Sequence, residues 1–111
     1  MRTLLVAALL AAGIPTSVQA SPAPAAPQAI VHIRDDAFVP AMLTVRAGTS
    51  VTFVNDDDDA HTATADDESW DSEGLNQAQR WTHAFTKAGK VTYHCTVHPM
   101  MHGTIVVRAA Q

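Results

Sequence analysis

The stretch of sequence most informative about the fold runs from Val91 to Val107 and reads VTYHCTVHPMMHGTIVV. Apolar and polar side chains alternate in its first five residues, which predicts a strand with one buried face over Lys90–Cys95. A second β-type run, Gly103–Arg108, follows it. A cysteine, two histidines and two methionines stand at and after the end of the first run, so this stretch combines predicted strands with potential metal ligands.

The rest of the chain continues this pattern of short β-type runs separated by turn residues. Val51–Val54 alternates in the same way, and glycines at positions 48 and 89 provide tight connections. Seven runs at intervals of roughly ten residues predict an all-β, antiparallel sandwich, which we assign to residues 29–111. The predicted strands are Ile30–Arg34, Met42–Arg46, Ser50–Asn55, His61–Ala65, Arg80–Thr86, Lys90–Cys95 and Gly103–Arg108.

Composition excludes several classes of function. The chain has 111 residues, enough for one domain, and its formal net charge of −4 argues against nucleic-acid binding, which requires a basic surface. A single cysteine rules out an intramolecular disulfide. The sequence contains no serine–histidine–carboxylate motif and no glycine-rich phosphate loop, so we predict no catalytic residues and a protein that is not an enzyme.

Four residues have the chemistry of a metal site. Cys95, His98 and Met101 follow the spacing C-x2-H-x2-M, and His61 begins another predicted strand. Two imidazoles, one thiolate and a weak thioether form the ligand set that suits a type 1 copper ion. Calcium and magnesium prefer oxygen ligands, and structural zinc rarely takes methionine. These residues therefore predict one copper ion per chain.

With these potential ligands, the stretch from Val91 to Val107 resembles the C-terminal copper loop of the cupredoxins, most of all the amicyanin-like and plastocyanin-like group. Val51–Asn55, followed by Ala60–Thr62, is similar to the strand that carries the first histidine ligand in this family. The resemblance covers about residues 30–108. It implies a Greek-key β-sandwich of about seven to eight strands, with copper bound by His61, Cys95, His98 and Met101.

Two positions depart from the pattern of the family. Thr62 stands where amicyanin and plastocyanin usually have an asparagine that ties the two ligand loops together, and a hydroxyl can form such a bond with a different reach. The methionine is doubled, and the short-loop spacing of the family selects Met101 as the axial ligand. Met100 is then expected at the exposed mouth of the site, beside His98.

The resemblance implies a single-electron carrier, because four protein ligands leave no open position for a substrate. Redox partners are expected to dock on an apolar patch formed by His98, Pro99 and Met100. The alternative function is copper delivery, storage or resistance. That alternative is favoured by further potential ligands near the loop, namely Met100, His94 and His102.

The remaining charged and titratable residues are expected at the surface. Strand alternation places His94 on the face opposite the metal and leaves His32 and His83 in solvent. The acidic run Asp56–Asp59 is a solvated loop, a docking surface for a basic partner or a weak cation site.

The first twenty residues have the layout of a secretory signal peptide. Arg2 precedes an apolar run from Leu4 to Ala12, and small residues offer a cleavage point between Ala20 and Ser21. The run is shorter than the roughly 20 residues that span a bilayer, so no membrane anchor is expected after cleavage. Residues 21–28 form a predicted proline- and alanine-rich linker. We therefore expect an exported, periplasmic and monomeric protein.

Overall fold

The folded part of the chain consists of eight strands, which we describe from a computed structural model of the protein. The structure describes residue 4, residues 7–17 and residues 26–110, and it contains no helix within these ranges. The strands are β1 (Gln28–Arg34), β2 (Ala37–Val39), β3 (Met42–Arg46), β4 (Thr49–Asn55), β5 (Thr64–Ala65), β6 (Arg80–Phe85), β7 (Gly89–His94) and β8 (His102–Arg108).

The strands form two four-stranded sheets, in the orders β2-β1-β4-β6 and β3-β8-β7-β5. This arrangement confirms the all-β sandwich. The prediction that all strands pair antiparallel is wrong, because β1 pairs parallel with β4 and β3 pairs parallel with β8. The chain leaves the first sheet after β2, adds β3 to the other sheet and returns as β4 in the direction of β1. Hydrophobic alternation indicates which face of a strand is buried, but it does not give the direction of the neighbouring strand.

Two local features differ from the predicted strands. The sequence pattern does not predict β2, whose three residues follow a turn in which Asp35 and Asp36 have positive φ angles of 53° and 55°. Aspartate tolerates this conformation, and paired positive φ angles are typical of a two-residue hairpin turn. The predicted strand His61–Ala65 is regular only at Thr64–Ala65, and His61 forms an isolated bridge with Leu75. His61 therefore lies outside the main ladder.

Alternate residues of the two sheets form one core, which extends to the loop that carries the cysteine. Phe53 of β4, Tyr93 of β7 and Ile105 of β8 are fully buried. The rings of Phe53 and Tyr93 pack edge to face with centroids 5.4 Å apart. Burial of an apolar side chain of this size stabilises the fold by about 1.5–3 kcal/mol. Cys95 and Met101 belong to the same buried cluster, so core packing also fixes these two residues.

The described residues before β1 lie outside this core. Residues 7–17 have no regular secondary structure, and Leu9, Leu10 and Ile14 are 93%, 93% and 88% exposed. Among the described residues, no helix is long and apolar enough to cross a membrane. The predicted cleavage point after Ala20 and most of the predicted linker at 21–28 lie outside the described residues.

Candidate metal centre

Three of the four predicted ligands converge between the loops that follow β4 and β7. The ligand atoms of His61, Cys95 and His98 lie within 4.8 Å of one another. Cys95 Sγ is 3.7 Å from His61 Nδ1 and 3.9 Å from His98 Nδ1, so both imidazoles turn the same nitrogen toward the sulfur. His61 and Cys95 are fully buried, whereas His98 is partly exposed. The arrangement offers two nitrogens and one sulfur to a single metal ion.

The loop between β7 and β8 carries Cys95, His98 and Met101, and two backbone hydrogen bonds close it. The Met101 amide donates to the His98 carbonyl at 2.9 Å, and the Cys95 amide donates to the Met101 carbonyl at 3.2 Å. Pro99 directly follows His98 in this turn, where the fixed φ of proline favours a β-turn. The turn reverses the chain, so the backbone of Met101 returns to that of Cys95.

The two adjacent methionines have opposite surroundings. Met101 is 3% exposed and packs in the core cluster that contains Cys95, whereas Met100 is 78% exposed. Burial of Met101 in the same cluster as Cys95 is what its predicted role as a ligand requires. Exposure of Met100 agrees with its predicted place at the mouth of the site.

The ring of His61 is held from its far side by Asp57. His61 Nε2 donates to Asp57 Oδ2 at 2.9 Å, and the same carboxylate accepts the amides of Asp35 and Asp36 at 2.7 and 3.0 Å. Partial burial raises the pKa of Asp57, but the hydrogen bonds from the Asp36 and Asp35 amides and from His61 outweigh it and lower the pKa below its usual value. A carboxylate on Nε2 fixes the tautomer and leaves Nδ1 available to a metal.

Asp57 is a site residue that the sequence analysis missed. The sequence presents it as one of four consecutive aspartates with no distinguishing pattern. The two aspartates at 35 and 36 do indicate a turn, but nothing in the sequence shows that this turn meets Asp57. The contact exists only because β1 and β4 are adjacent parallel strands, so the β1–β2 turn and the loop after β4 lie at the same end of the first sheet.

Thr62 links the two segments that carry the ligands. Its amide donates to Cys95 Sγ at 3.3 Å, and its Oγ1 accepts the amide of Thr96 at 2.9 Å. The hydroxyl groups of Thr62 and Thr96 are also 3.1 Å apart. Because Thr62 follows His61 and Thr96 follows Cys95, one threonine hydroxyl forms the cross-loop bond for which the family usually employs asparagine.

Carboxylates surround the exposed edge of the site. Asp36 and Asp59 approach His98 so closely that a ligand atom from each of the three residues lies within 4.8 Å of the others. A depression of about 320 Å³ beside them is lined by acidic residues only, which we call the acidic surface: Asp35, Asp36, Asp57, Asp58 and Asp59.

Asp56 does not belong to the acidic surface, although it begins the aspartate run. Its carboxylate accepts hydrogen bonds from Arg34 at 2.9 Å and lies 2.8 Å from His32 Nδ1. The hydrogen bond from Arg34 is the main reason that the pKa of Asp56 is lowered. The predicted acidic loop Asp56–Asp59 is therefore divided, and the turn between β1 and β2 supplies two of the carboxylates near the site.

Two other histidines show where strand alternation succeeds and fails. His94 lies outside the ligand cluster, and its Nδ1 is 2.6 Å from Asp66 Oδ1. Its side chain therefore points away from the cluster, as strand alternation predicts. His83, in contrast, is not a solvated side chain. Its ring stacks on Trp81 and Trp70 with centroids 5.3 and 5.4 Å away, and burial lowers its pKa. The prediction that His83 is solvated is wrong, because its side chain lies on the face of β6 that carries Trp81 and Phe85.

The donor set fits copper. A thiolate and two imidazoles with a weak, distant thioether are the ligands of type 1 copper sites, and soft sulfur ligands select against calcium and magnesium. The carboxylate nearest to His61 Nε2, that of Asp57, is engaged by two backbone amides and by His61 itself. It therefore orients a ligand and is not itself free to act as one.

Comparison with known proteins agrees with this chemistry. The sequence model of the cupredoxin-like domain family matches residues 3–107. No curated protein sequence matches the chain. An oxidised proline-to-alanine mutant of amicyanin is 28% identical with a TM-score of 0.69, over 73% of this chain and 82% of amicyanin. A purple cupredoxin from Nitrosopumilus maritimus is 28% identical with a TM-score of 0.68, over 71% of this chain and 98% of that protein.

A copper enzyme is also among the similar structures. The Cu-containing nitrite reductase of Thermus scotoductus SA-01 is 29% identical with a TM-score of 0.73. The match covers 88% of this chain but only 26% of the reductase chain. The likeness therefore concerns one domain-sized part of that enzyme.

Proposed function

The chain belongs to the cupredoxin-like domain family, and we propose that it carries single electrons between redox proteins through one type 1 copper ion. We assign the ligands as His61, Cys95, His98 and Met101. The observation that supports this most directly is the buried Cys95 sulfur with one Nδ1 atom of each histidine 3.7 and 3.9 Å away. Bound there, copper supplies a one-electron couple between Cu(II) and Cu(I).

The residues of the site favour electron transfer because they are held in fixed positions. Asp57 holds the ring of His61, and the turn at Pro99 holds the carbonyl of His98 and the amide of Met101. The Thr62 amide stabilises negative charge on Cys95 Sγ by donating to it. A ligand set that moves little between two oxidation states needs little reorganisation, which is the requirement of a rapid one-electron carrier.

We infer that a redox partner docks where His98 reaches the surface, on the patch of His98, Pro99 and Met100. Met100 and Val97 are 78% and 56% exposed, so the surface beside this histidine is apolar. The acidic surface adjoins the same histidine through Asp36 and Asp59. Charge complementarity favours a partner whose apolar contact is bordered by lysine or arginine. We also propose that the protein acts as a monomer, with this patch left free for the partner.

We propose no catalytic step for this protein. Four protein ligands would leave no position for a substrate at the metal, which separates this site from catalytic sites that keep one position open. The likeness to nitrite reductase covers 26% of that chain and does not transfer its activity.

We further propose that the protein is exported to the periplasm, with residues 1–20 as signal peptide, 21–28 as linker and 29–111 as the copper domain. The charged start, the short apolar run and the small residues before Ser21 support this division. The exposure of Leu9, Leu10 and Ile14 supports it too, because these side chains add nothing to the core. Sequencing the N-terminus of the mature protein tests the proposal, with Ser21 as the expected first residue.

Visible absorption of the copper-loaded protein tests the main proposal. An electron carrier of this kind should show an intense thiolate-to-copper charge-transfer band that ascorbate bleaches reversibly. Cys95→Ser should abolish the band, because an alcohol is a poor ligand at neutral pH. His94→Gln is the matched control, since the side chain of this adjacent residue lies outside the ligand cluster, and it should keep the band. A colourless protein that binds only Cu(I) would instead support copper delivery, storage or resistance.

A further inference from the structure

We propose that Asp71 and Thr64 are positioning residues for the metal centre. They end a chain of hydroxyl groups that holds the loop after Cys95 against the segment after His61. The effect on the metal rests on the proposed function. The chain of hydrogen bonds itself is a property of the protein without metal.

The chain consists of three threonine hydroxyls and one carboxylate. Thr64 Oγ1 donates to Asp71 Oδ1 at 3.0 Å, and it lies 2.9 Å from Thr62 Oγ1. Thr62 Oγ1 lies 3.1 Å from Thr96 Oγ1 and accepts the Thr96 amide at 2.9 Å. Thr62 and Thr64 are 5% and 7% exposed, so their hydroxyl groups are largely shielded from solvent and depend on partners within the protein.

The carboxylate fixes the direction of every hydrogen bond in the chain. Each hydroxyl has one hydrogen, and an ionised carboxylate only accepts. Thr64 gives its hydrogen to Asp71, so Thr62 must donate to Thr64. The hydrogen between Thr62 and Thr96 must then come from Thr96. The Thr62 oxygen therefore accepts both the amide and the hydroxyl of Thr96, which doubles the link between the two ligand segments.

The segment that carries Asp71 is itself fixed to the ligand strand. The Glu73 amide donates to Asp71 Oδ1 at 2.7 Å, and the Ala63 amide donates to Ser72 Oγ at 2.8 Å. Asp71 also forms an isolated backbone bridge with Thr64. The carboxylate is thus a stationary end for the chain. Without it, the hydrogen of Thr64 is free to point back to Thr62, and the double acceptance at Thr62 is no longer enforced.

This link bears on the metal because Thr62 also donates its amide to Cys95 Sγ at 3.3 Å. When the hold on Thr62 and Thr96 weakens, we expect this N–H···S bond to lengthen. A weaker donor to the sulfur stabilises the reduced, more negative site less. The reduction potential should therefore fall when Asp71 or Thr64 can no longer end the chain.

The test compares Asp71→Ala and Thr64→Val with the conservative variant Asp71→Asn, whose amide oxygen still accepts from Thr64. Thr82→Val is the matched control, because it removes a hydroxyl from the separate Thr52–Thr82 pair, whose oxygens are 2.7 Å apart. In the metal-free protein, hydrogen exchange at the Thr96 amide should become about threefold to tenfold faster in the first two variants, the effect of one lost hydrogen bond. Asp71→Asn and Thr82→Val should exchange as the unmodified protein does.

In the copper-loaded protein, Asp71→Ala should lower the reduction potential. At a fixed applied potential, the ratio of reduced to oxidised protein should then fall by about threefold to tenfold. Unchanged exchange at Thr96, or an equal change in Thr82→Val, would overturn the proposal, and so would faster exchange without a change in potential. If no blue copper site forms, the proposed function fails, while exchange in the metal-free protein still decides this inference. Because Asp71 is exposed, its variants should fold, and they test the proposal even if Thr64→Val does not fold.

Discussion

The two histidines of the site are held in different ways. His61 is fully buried, its ring is fixed by Asp57, and its backbone exchanges two hydrogen bonds with Leu75 at 3.1 and 2.8 Å. His98 is partly exposed and lies in a loop, where its carbonyl accepts from Met101. The segment that carries His61 is therefore part of the sandwich, whereas the loop that carries His98 lies at the surface.

The sharpest test of this difference removes each imidazole in turn. His61→Gly and His98→Gly should both lose the charge-transfer band, since each removes one of three strong ligands. Added free imidazole should restore the band in His98→Gly, because that position opens to solvent. It should not restore the band in His61→Gly, where the ring was fully buried. Equal rescue of both variants, measured by absorption titration, would show that the two histidines are not held differently.

Removal of the support behind His61 should have the next largest effect. Asp57→Ala removes the carboxylate 2.9 Å from Nε2 and leaves only that of Asp36 at 3.4 Å, and loss of such an outer partner lowers metal affinity by about 10–100-fold. Asp58→Ala is the matched control, because the Asp58 side chain accepts from Gln77 and does not contact His61. Competition with a copper chelator measures both affinities. Equal values for the two variants would mean that the surrounding backbone and the Asp36 carboxylate position His61 without Asp57.

The adjacent methionines provide a test within the exposed loop. Met101→Ala should keep a coloured site but shift its reduction potential, because the axial thioether binds weakly and tunes the metal. A tenfold shift in the reduced-to-oxidised ratio corresponds to about 59 mV. Met100→Ala should change neither band nor potential, since Met100 is 78% exposed. If voltammetry showed a shifted reduction potential in Met100→Ala and none in Met101→Ala, the assignment of Met101 as a ligand would be wrong.

The smallest expected effect concerns the surface around His98. Reduction or oxidation by a small cationic metal complex should slow as ionic strength rises past about 0.1 M, where the Debye length is about 10 Å. Replacing Asp35, Asp36 and Asp59 by asparagine should remove most of this dependence and slow the low-salt reaction a few-fold. Asp56→Asn should change it less, because Arg34 and His32 already pair with Asp56. The assignment of the acidic surface would be contradicted if stopped-flow rates changed as much in Asp56→Asn as in the triple variant.

The sequence predicts contiguous features of this molecule better than distant ones. Cys95, His98 and Met101 share one short loop, so their spacing alone indicates a common site. The alternation in β4 and β7 likewise identifies the buried faces that pack Phe53 and Tyr93. The buried faces are predicted correctly because their physical cause, the alternation of side chains, lies within a few residues along the chain.

Contacts between segments that are distant in the sequence cannot be predicted from such local patterns. The parallel pairing of β1 with β4 follows from a crossing between sheets, which no local pattern records. The support of His61 by Asp57 requires the β1–β2 turn, and the hydroxyl chain requires Asp71 beside Thr64. Strand alternation predicts that the polar His83 faces solvent, whereas stacking on Trp81 holds its ring inward.

The bonds between the first hairpin and Asp57 have a thermodynamic consequence. The amides of Asp35 and Asp36 donate to Asp57 across 22 and 21 positions of sequence, and Asp57 accepts from His61. Any opening of the hairpin that releases Asp57 therefore competes with occupancy of the site. By linkage, when metal is present at a hundred times its dissociation constant, an opening that lowers metal affinity by the 10–100-fold expected for loss of Asp57 costs about 1.3–2.3 kcal/mol more. Hydrogen exchange at these two amides should then slow by about tenfold to fiftyfold on loading, which makes the hairpin a remote reporter of occupancy.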